Sequence, residues 1–593
     1  MMPKTAGEKV REAEEDVCSL DDLRKKGIVT VNASGRTIAL VYAQERIFAV
    51  DNRCPHMGYP LSKGTVKDGV LTCHWHHARF DLYSGCTFDL FADDVESFHA
   101  RTEGGRVLLS GKSAPVLTEE RMATADRRLK LGIDHSIYLV MAKSILREMM
   151  LRGSEKGAVR VLEISSATGA SRLRGWASGL TILTCMGNLL PYLDEEWKAR
   201  ALFKGVKHVA EDAFHEAVRP SFEPLVSSGE NLSFGSLLHW FRLLVEQRDE
   251  EACQRILLTA IRNFSREYVA EMLFSSCTDH VFIDGGHVYD FLNKSFELLE
   301  LTGWHHAGDI LPSLVMQLCN ARRHEEDGAW RHPDDLIELI RRHELNLPLI
   351  MTQARSVRPS AHEVEALAWK IVEGTPQEVL DAVDAAFAEG WEPHDVALSL
   401  SLSAAIRVAM FHRQNEFSDW ITVLHTLSYC NAVMKSSRFM DSGETTARGI
   451  YHGAMKVFLD RFLNMPPADI KFRETGGGIM VKPIARLEES MDSRDAGSIV
   501  SIVDRCINSG EKNSAIISSL SKSVVREDAE FHTFQMVEAA SGILEQELLS
   551  PGAQRLVLIA AARYIGAHSP TARADQQTFD MALRLERGEA MHT

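Results

Sequence analysis

Two short segments that each pair a cysteine with a histidine constrain this chain most strongly. Cys54 and His56 form a C-x-H pair, and Cys73 and His76 form a C-x₂-H pair after sixteen intervening residues. Thiolates and imidazoles are the protein ligands of zinc and of several iron–sulfur clusters. Two loops that each supply one sulfur and one nitrogen donor therefore predict a metal centre held between them.

Zinc and a [2Fe–2S] cluster can both take two cysteines and two histidines, so the donor set alone leaves both open. Zinc-finger spacing usually groups cysteine with cysteine and histidine with histidine. In this chain each loop is mixed, and both loops lie between predicted strands. The mixed loops favour a cluster in which one iron takes two thiolates and the other takes two imidazoles.

The chain of 593 residues is long enough for at least two domains. Residues 17–112 are predicted to form a small all-β domain, because short β-branched and aromatic segments such as TIALVYA and RIFAVD alternate with glycine-containing turns. Residues 1–16 form an N-terminal extension in this division. Residues 113–120, with small residues and a proline, form a linker.

Residues 121–593 are predicted to form a large all-α body, which makes the fold class α+β and multidomain. Segments such as EEWKARALFKGVKHVAEDAF place apolar residues at three- and four-residue steps. We expect subdivisions near 355 and 490. Two stretches around Val245-Glu246 and Val372-Glu373 align at an offset of 127 residues, which suggests a helical repeat, although apolar helices also align by chance.

The stretch RIFAVDNRCPHMGYPLSKGTVKDGVLTCHWHHARFDLYSG resembles the Rieske ferredoxins and ferredoxin-like domains of ring-hydroxylating oxygenase systems. The resemblance covers residues 17–112 and rests on the two ligand loops, the LSKG turn and the later FD and SG pairs. It implies one [2Fe–2S] cluster per chain, with Cys54 and Cys73 on the buried iron and His56 and His76 on the outer iron. His77 stands where the family usually has glycine.

The resemblance also implies that the protein passes single electrons received from an external reductase or ferredoxin. Neither G-x-G-x-x-G after a strand nor G-x₄-G-K-[ST] occurs, so no nicotinamide, flavin or nucleotide site is indicated within the chain. The catalytic domain usual in Rieske oxygenases is β-rich, and the helical body does not match it. We therefore assign no catalytic residues from the sequence.

Two triplets with the spacing H-x₃-D-x₂-H mark a low-specificity second metal site, and they are His208–Asp212–His215 and His280–Asp284–His287. On a continuous helix these positions share one face, and two imidazoles with a carboxylate are typical ligands of non-haem iron. The spacing also arises by coincidence in a chain with 24 histidines, and Gly285-Gly286 interrupts the second triplet. Further candidates are His305, His306, His425 and His452.

Two functional interpretations stay open. In the first, the protein is an oxygenase-like oxidoreductase whose cluster feeds a metal, or a small organic substrate, in the helical body. In the second, the cluster is an electron carrier or redox sensor attached to a helical protein-binding scaffold. A purely structural cluster is a weaker third interpretation.

Net charge and hydropathy exclude some classes of binding partner. The formal net charge of −16 argues against nucleic acid and anionic lipid, because both would be repelled. No segment reaches the ~18 apolar residues of a membrane span, and the charged N-terminal segment does not resemble a signal peptide. We therefore expect a cytoplasmic protein with no membrane partner.

Respiratory Rieske proteins, which resemble this domain, add a disulfide between the loops and hydroxyl donors to the cluster sulfurs. Those positions are Tyr59, Trp75, Ala78 and Phe80 in this chain, which supply neither group. Fewer hydrogen bonds to sulfur leave the reduced cluster less stabilised. We expect a midpoint potential of about −150 mV instead of about +300 mV in a spectroelectrochemical titration. A midpoint above about +100 mV would contradict this reasoning.

Overall fold

The computed structural model describes residues 14–33, 35–110, 118–225, 232–353, 356–412, 414–468, 470, 483–491 and 496–589. The chain divides into two compact units. The first comprises Met1–Gly153 with Gln577–Thr593, and the second comprises Ser154–Gln576. The small all-β domain followed by a large helical body confirms the predicted fold class. Most of the predicted N-terminal extension and of the linker lies outside the described residues.

Among the described residues of the first unit, nine strands form two antiparallel sheets. The strands are β1 Glu14–Ser19, β2 Ile28–Ala33, β3 Arg36–Ala43, β4 Arg46–Asp51, β5 Thr65–Lys67, β6 Val70–Thr72, β7 Arg79–Asp81, β8 Ser97–Glu103 and β9 Arg106–Ser110. The larger sheet has the order β1-β9-β8-β4-β3-β2, and the smaller sheet has the order β5-β6-β7.

Strand β3 shows why these residues form a sheet with a core on each face. Successive side chains of a strand point to opposite faces. Ala39 and Val41 accordingly belong to one buried cluster, which also contains Cys54 and Cys73. Ile38 and Leu40 belong to the other. The two predicted ligand loops are therefore anchored in one of the two hydrophobic cores.

Helix α1 (Leu20–Lys26) lies between β1 and β2, and two longer helices, α2 (Thr118–Asp134) and α3 (Tyr138–Arg152), follow the strands. The first unit extends to Gly153 and so includes α2 and α3. The sequence prediction placed both helices in the body. The structure thus groups more chain with the β domain than periodicity alone indicated.

The remaining helices build the second unit, except that the last one extends from it into the first unit. They are α4 Ser154–Ala170, α5 Ser178–Leu189, α6 Glu195–Ala213, α7 Phe234–Glu246, α8 Glu250–Asn263, α9 Arg266–Thr278, α10 His287–Thr302, α11 Ala307–Ile310, α12 Val315–Asn320, α13 Leu336–Gln353, α14 Ala361–Glu373, α15 Pro376–Glu389, α16 Pro393–Ala409, α17 Phe417–Ser436, α18 Gly443–Leu459, α19 Pro483–Ser490, α20 Ala496–Asn508, α21 Asn513–Arg526, α22 Phe531–Leu544, α23 Pro551–His568 and α24 Ala574–Glu586. None of the described helices has the length and apolar character needed to cross a membrane.

Helix bounds repeat at the offset that the sequence alignment suggested. Helices α7, α8 and α9 begin at Phe234, Glu250 and Arg266, and α14, α15 and α16 begin 127, 126 and 127 residues later. Side-chain caps recur as well, since the Ser233 and Ser360 hydroxyls accept from the backbone amides of Ser236 and Glu363. Two three-helix segments of the body therefore begin at matching positions, and the helical repeat stays a prediction for the rest of the body.

Candidate metal centres

The first ligand loop lies between β4 and a 3₁₀ turn at Leu61–Lys63. The Cys54 amide donates to the Tyr59 carbonyl at 2.8 Å, and the Gly58 amide donates to the Cys54 carbonyl at 2.7 Å. Gly58 has a φ of 76°, a conformation that glycine adopts at little cost. These bonds close the loop so that Cys54 and His56 project from a fixed backbone.

The second ligand loop joins β6 to β7. The Cys73 amide donates to the Ala78 carbonyl at 2.9 Å, which closes this loop in the same way. His77 has a φ of 60°, in the left-handed region that favours glycine. This geometry supplies a physical reason for the glycine that related domains usually carry at this position, and this chain places an exposed imidazole there instead.

The four predicted ligands lie close together in the structure, and the cysteines are more deeply buried than the histidines. Cys54 and Cys73 are 2% and 1% exposed, whereas His56 is half-buried and His76 is exposed. The two imidazole rings meet edge to face with centroids 4.8 Å apart. Two sulfurs therefore lie inside and two imidazoles outside, which is the arrangement that a cluster with thiolates on one iron and imidazoles on the other requires.

The chemistry of the donors fits such a cluster. A hydrogen bond from the Cys54 thiol lowers the pKa of Cys73 to about 6 and raises the pKa of Cys54. Burial, followed by the nearby His76 and Lys143, lowers the pKa of His56 to about 4. His56 Nδ1 is buried without a hydrogen-bond partner. A neutral imidazole with a buried, unpartnered nitrogen is suited to metal ligation.

Comparison with known proteins agrees with this geometry. The family model of the Rieske [2Fe-2S] domain matches residues 14–98. The ferredoxin component of the naphthalene 1,2-dioxygenase/salicylate 5-hydroxylase systems of a Ralstonia species is 32% identical over 97 residues, which are 16% of this chain and 91% of that protein. The chain belongs to the Rieske [2Fe–2S] family. Its Rieske domain binds a [2Fe–2S] cluster, and no family model matches the helical remainder.

Two further relatives match the Rieske domain. The ferredoxin component of the alkene monooxygenase system of Xanthobacter autotrophicus is 33% identical over 101 residues, covering 17% of this chain and 83% of that protein. The 4beta-methylsterol monooxygenase of Methylococcus capsulatus is 39% identical over 66 residues, covering 11% of this chain and 18% of that protein. A Rieske domain like this one thus occurs both as a small ferredoxin and inside a longer chain.

Helix α3 supports the first ligand loop. Lys143 is 1% exposed, and its Nζ donates to the Pro55 carbonyl at 2.8 Å and pairs with Asp93. Arg128 and Arg147 also reach Asp93, at 3.0 and 3.1 Å. Since Pro55 lies between Cys54 and His56, a buried cation holds the loop where it bends around the predicted cluster.

The first predicted triplet does not assemble into a metal site. His208 Nδ1 lies 3.0 Å from a Glu211 carboxylate oxygen, and Asp212 accepts from the Gly179 amide at 2.6 Å. His215 lies beyond the end of α6 with a φ of 64°. The helix ends before the third position, so the shared face assumed from the spacing does not exist.

The second predicted triplet is also broken. Helix α9 ends at Thr278, and Asp284 has a φ of 48° in the segment that follows. His280 lies between the Glu325 carboxylate, at 2.6 Å, and Glu246. Only His287, which begins α10, joins a group of ligating side chains, and its partners are not those that the spacing predicted.

Two groups of three ligating side chains occur among the described residues. The ligating atoms of His287, His425 and His532 all lie within 4.8 Å of one another, and the other group is Glu163 with His305 and His306. Burial is the largest cause that lowers the pKa of His287 to about 4 and that of His425 to about 2. Both rings are therefore neutral at pH 7.

The sequence indicates His287 and His425 as separate candidate metal ligands, and its spacing patterns give no such indication for His532. A weak signal existed in Glu530-Phe531-His532, since a carboxylate two residues before a buried histidine can orient its ring. His452, another sequence candidate, lies 3.2 Å from Glu344 and belongs to neither group. Local sequence spacing does not indicate ligating side chains that come from distant helices.

Replacing Lys143 with methionine tests the support of the ligand loop. The variant removes a buried positive charge beside His56, so the reduced cluster is less stabilised and its midpoint potential should fall. About 1 kcal/mol of lost attraction corresponds to about 40 mV for one electron. The measurement is a spectroelectrochemical titration of the variant beside wild type.

The matched control is Arg101→Met, which removes an exposed cation that pairs with Glu14 at the sheet edge. The control should keep the wild-type potential. Equal potentials in all three proteins would show that Lys143 does not act on the cluster.

Proposed function

We propose that this protein is a Rieske redox protein that takes single electrons from an external reductase and passes them to a site in its own helical body. Cys54 and Cys73 hold the inner iron, and His56 and His76 hold the outer iron. The observation that carries the proposal is the depth order of these side chains, with sulfurs buried and imidazoles at the surface.

The exposure of His76 supports electron entry at the outer iron. An electron donor must approach the cluster closely, and the exposed His76 ring offers such an approach while both cysteines are buried. His74, Trp75 and His77 are exposed next to His76 and form the surface that a reductase would contact. The relatives that are ferredoxin components of oxygenase systems support this class of partner.

The covalent fusion to a helical body supports an acceptor within the same chain. The monooxygenase from Methylococcus capsulatus likewise carries its Rieske match in a longer chain. The body supplies a group of three histidines, and imidazole ligands suit redox-active iron. Delivering electrons one at a time is what oxygen activation at such a metal needs, so the proposed activity is oxygenase-like.

A cavity in the body provides room for a small organic substrate. It has a volume of about 550 Å³, which lies in the usual range of ligand sites. Its wall is mostly apolar, with Trp330, Leu336, Phe458 and Phe462 beside the polar His324 and Thr422. Thr422, on the cavity wall, lies one helical turn before His425 on α17, which supports a connection between the cavity and the three histidines. We propose this cavity as the substrate site.

Counting electrons tests the proposal. Anaerobic titration of the full-length protein with dithionite should consume one electron for the cluster and at least one more for an acceptor in the body. The Cys73→Ser variant should lose the electron of the cluster and keep the second. Visible absorption follows the cluster while the reductant is added.

Uptake of a single electron per chain by wild type would contradict transfer to an acceptor in the body. That outcome would leave an electron carrier attached to a helical scaffold. Failure of an oxygenase-system reductase with NADH to reduce the cluster would contradict the proposed class of donor.

A further inference from the structure

Three helices of the body bring one histidine each to a common point. His287 begins α10, His425 lies within α17 and His532 is the second residue of α22. The ring centroids of His425 lie 4.4 Å from His287 and 4.6 Å from His532. Residues separated by more than one hundred positions in the chain thus present imidazoles to one small volume.

A buried ion-pair network fixes the same three helices against each other. Lys294 on α10 lies 2.6 Å from Glu538 on α22 and 2.8 Å from Glu297 on its own helix. Lys435 on α17 pairs with both carboxylates. The side chains of Lys294, Glu297 and Glu538 are at most 2% exposed. Unpairing any of these buried charges is costly, so the network holds the helices, and hence the three histidines, in register.

The ring of His532 is oriented for ligation. Its Nδ1 lies 2.9 Å from Glu530, and the Tyr564 hydroxyl donates to the same carboxylate at 2.6 Å. Its Nε2 is buried and has no hydrogen-bond partner. Buried polar atoms almost always find a partner. A histidine that donates one N–H to a carboxylate and offers its other nitrogen to a metal is the usual arrangement in metalloproteins.

We propose that His287, His425 and His532 bind one divalent first-row transition-metal ion. Metal-bound imidazole nitrogens lie about 2.0–2.1 Å from such an ion, and therefore about 3.4 Å from one another in a tetrahedral site. Nitrogens within 4.8 Å reach that spacing through small ring rotations. Glu530, whose carboxylate bonds His532 Nδ1, places a negative charge next to the three imidazoles.

The backbone leaves room for the ion. Gly285 and Gly286 precede His287 with φ values of 67° and 91°. A Cβ on Gly285 would stand 3.8 Å from His425 Nδ1, so a side chain there would extend toward the histidines. Gly285 therefore leaves this side of the site free of a side chain.

Metal binding does not depend on the proposed electron transfer. Only the choice of iron, as the acceptor of the cluster's electrons, rests on the proposed function. The two can therefore fail separately, because metal uptake is measured without reductant and electron uptake is measured on protein loaded with iron beyond its two cluster irons.

The test is equilibrium dialysis of chelator-treated, full-length protein against Co²⁺, with bound cobalt counted by atomic emission. Wild type should take up one Co²⁺ per chain in addition to its two cluster irons. His425→Ala and the more conservative His425→Gln should each lose this uptake. The visible spectrum of the cluster and the far-ultraviolet helical signal report whether each variant has folded.

Two further variants sharpen the result. His239→Ala changes an exposed histidine on α7 and should bind Co²⁺ like wild type. Glu530→Gln keeps all three ligands and weakens only the orientation of His532, so Co²⁺ affinity should fall by about 10–100-fold. A merely structural His532 would leave the affinity unchanged in this variant.

The proposal is overturned if wild type takes up no Co²⁺, or if both His425 variants fold and bind as much as wild type. Binding of Co²⁺ together with uptake of one electron per chain would support the metal site and refute its role as electron acceptor.

Discussion

Two loops of the Rieske domain have to place two sulfurs deep in a hydrophobic core and two imidazoles at its surface, around the same small space. Backbone bonds within each loop, from the Cys54 and Cys73 amides, fix the donors locally. The buried cation Lys143 then holds the first loop from the side of α3. The proposed entry of electrons at the outer iron rests on this order of depth, because His76 is exposed while both cysteines are buried.

The helical body also brings ligating side chains from separate segments together. Its three histidines come from separate helices and not from one loop. Ion pairs hold these helices against one another, and they join Lys294 and Lys435 to Glu297 and Glu538. Buried ion pairs seldom add net stability, but they specify one arrangement of the helices that carry them. The four charges lie on the same three helices as the histidines, so the ion pairs and the imidazoles depend on one arrangement of these helices.

The sequence predicted the β domain, its four candidate ligands and the helical character of the rest. It could do so because each loop carries its own cysteine and histidine, and because strands and helices differ in local periodicity. The H-x₃-D-x₂-H triplets failed because α6 ends at Ala213, before His215, and α9 ends at Thr278, before His280. His532 was missed because its partners lie far away in the chain. Lys143 was missed for the same reason, since nothing local links it to Pro55.

The central claim is that two thiolates and two imidazoles of this domain hold a pair of irons. Paramagnetic resonance of the full-length protein after dithionite reduction, with iron, zinc and acid-labile sulfide counted in the same sample, tests it most directly. We expect a rhombic signal whose average g value lies below that of the free electron, with equal amounts of cluster iron and sulfide. A silent sample that contains zinc and no sulfide would contradict it.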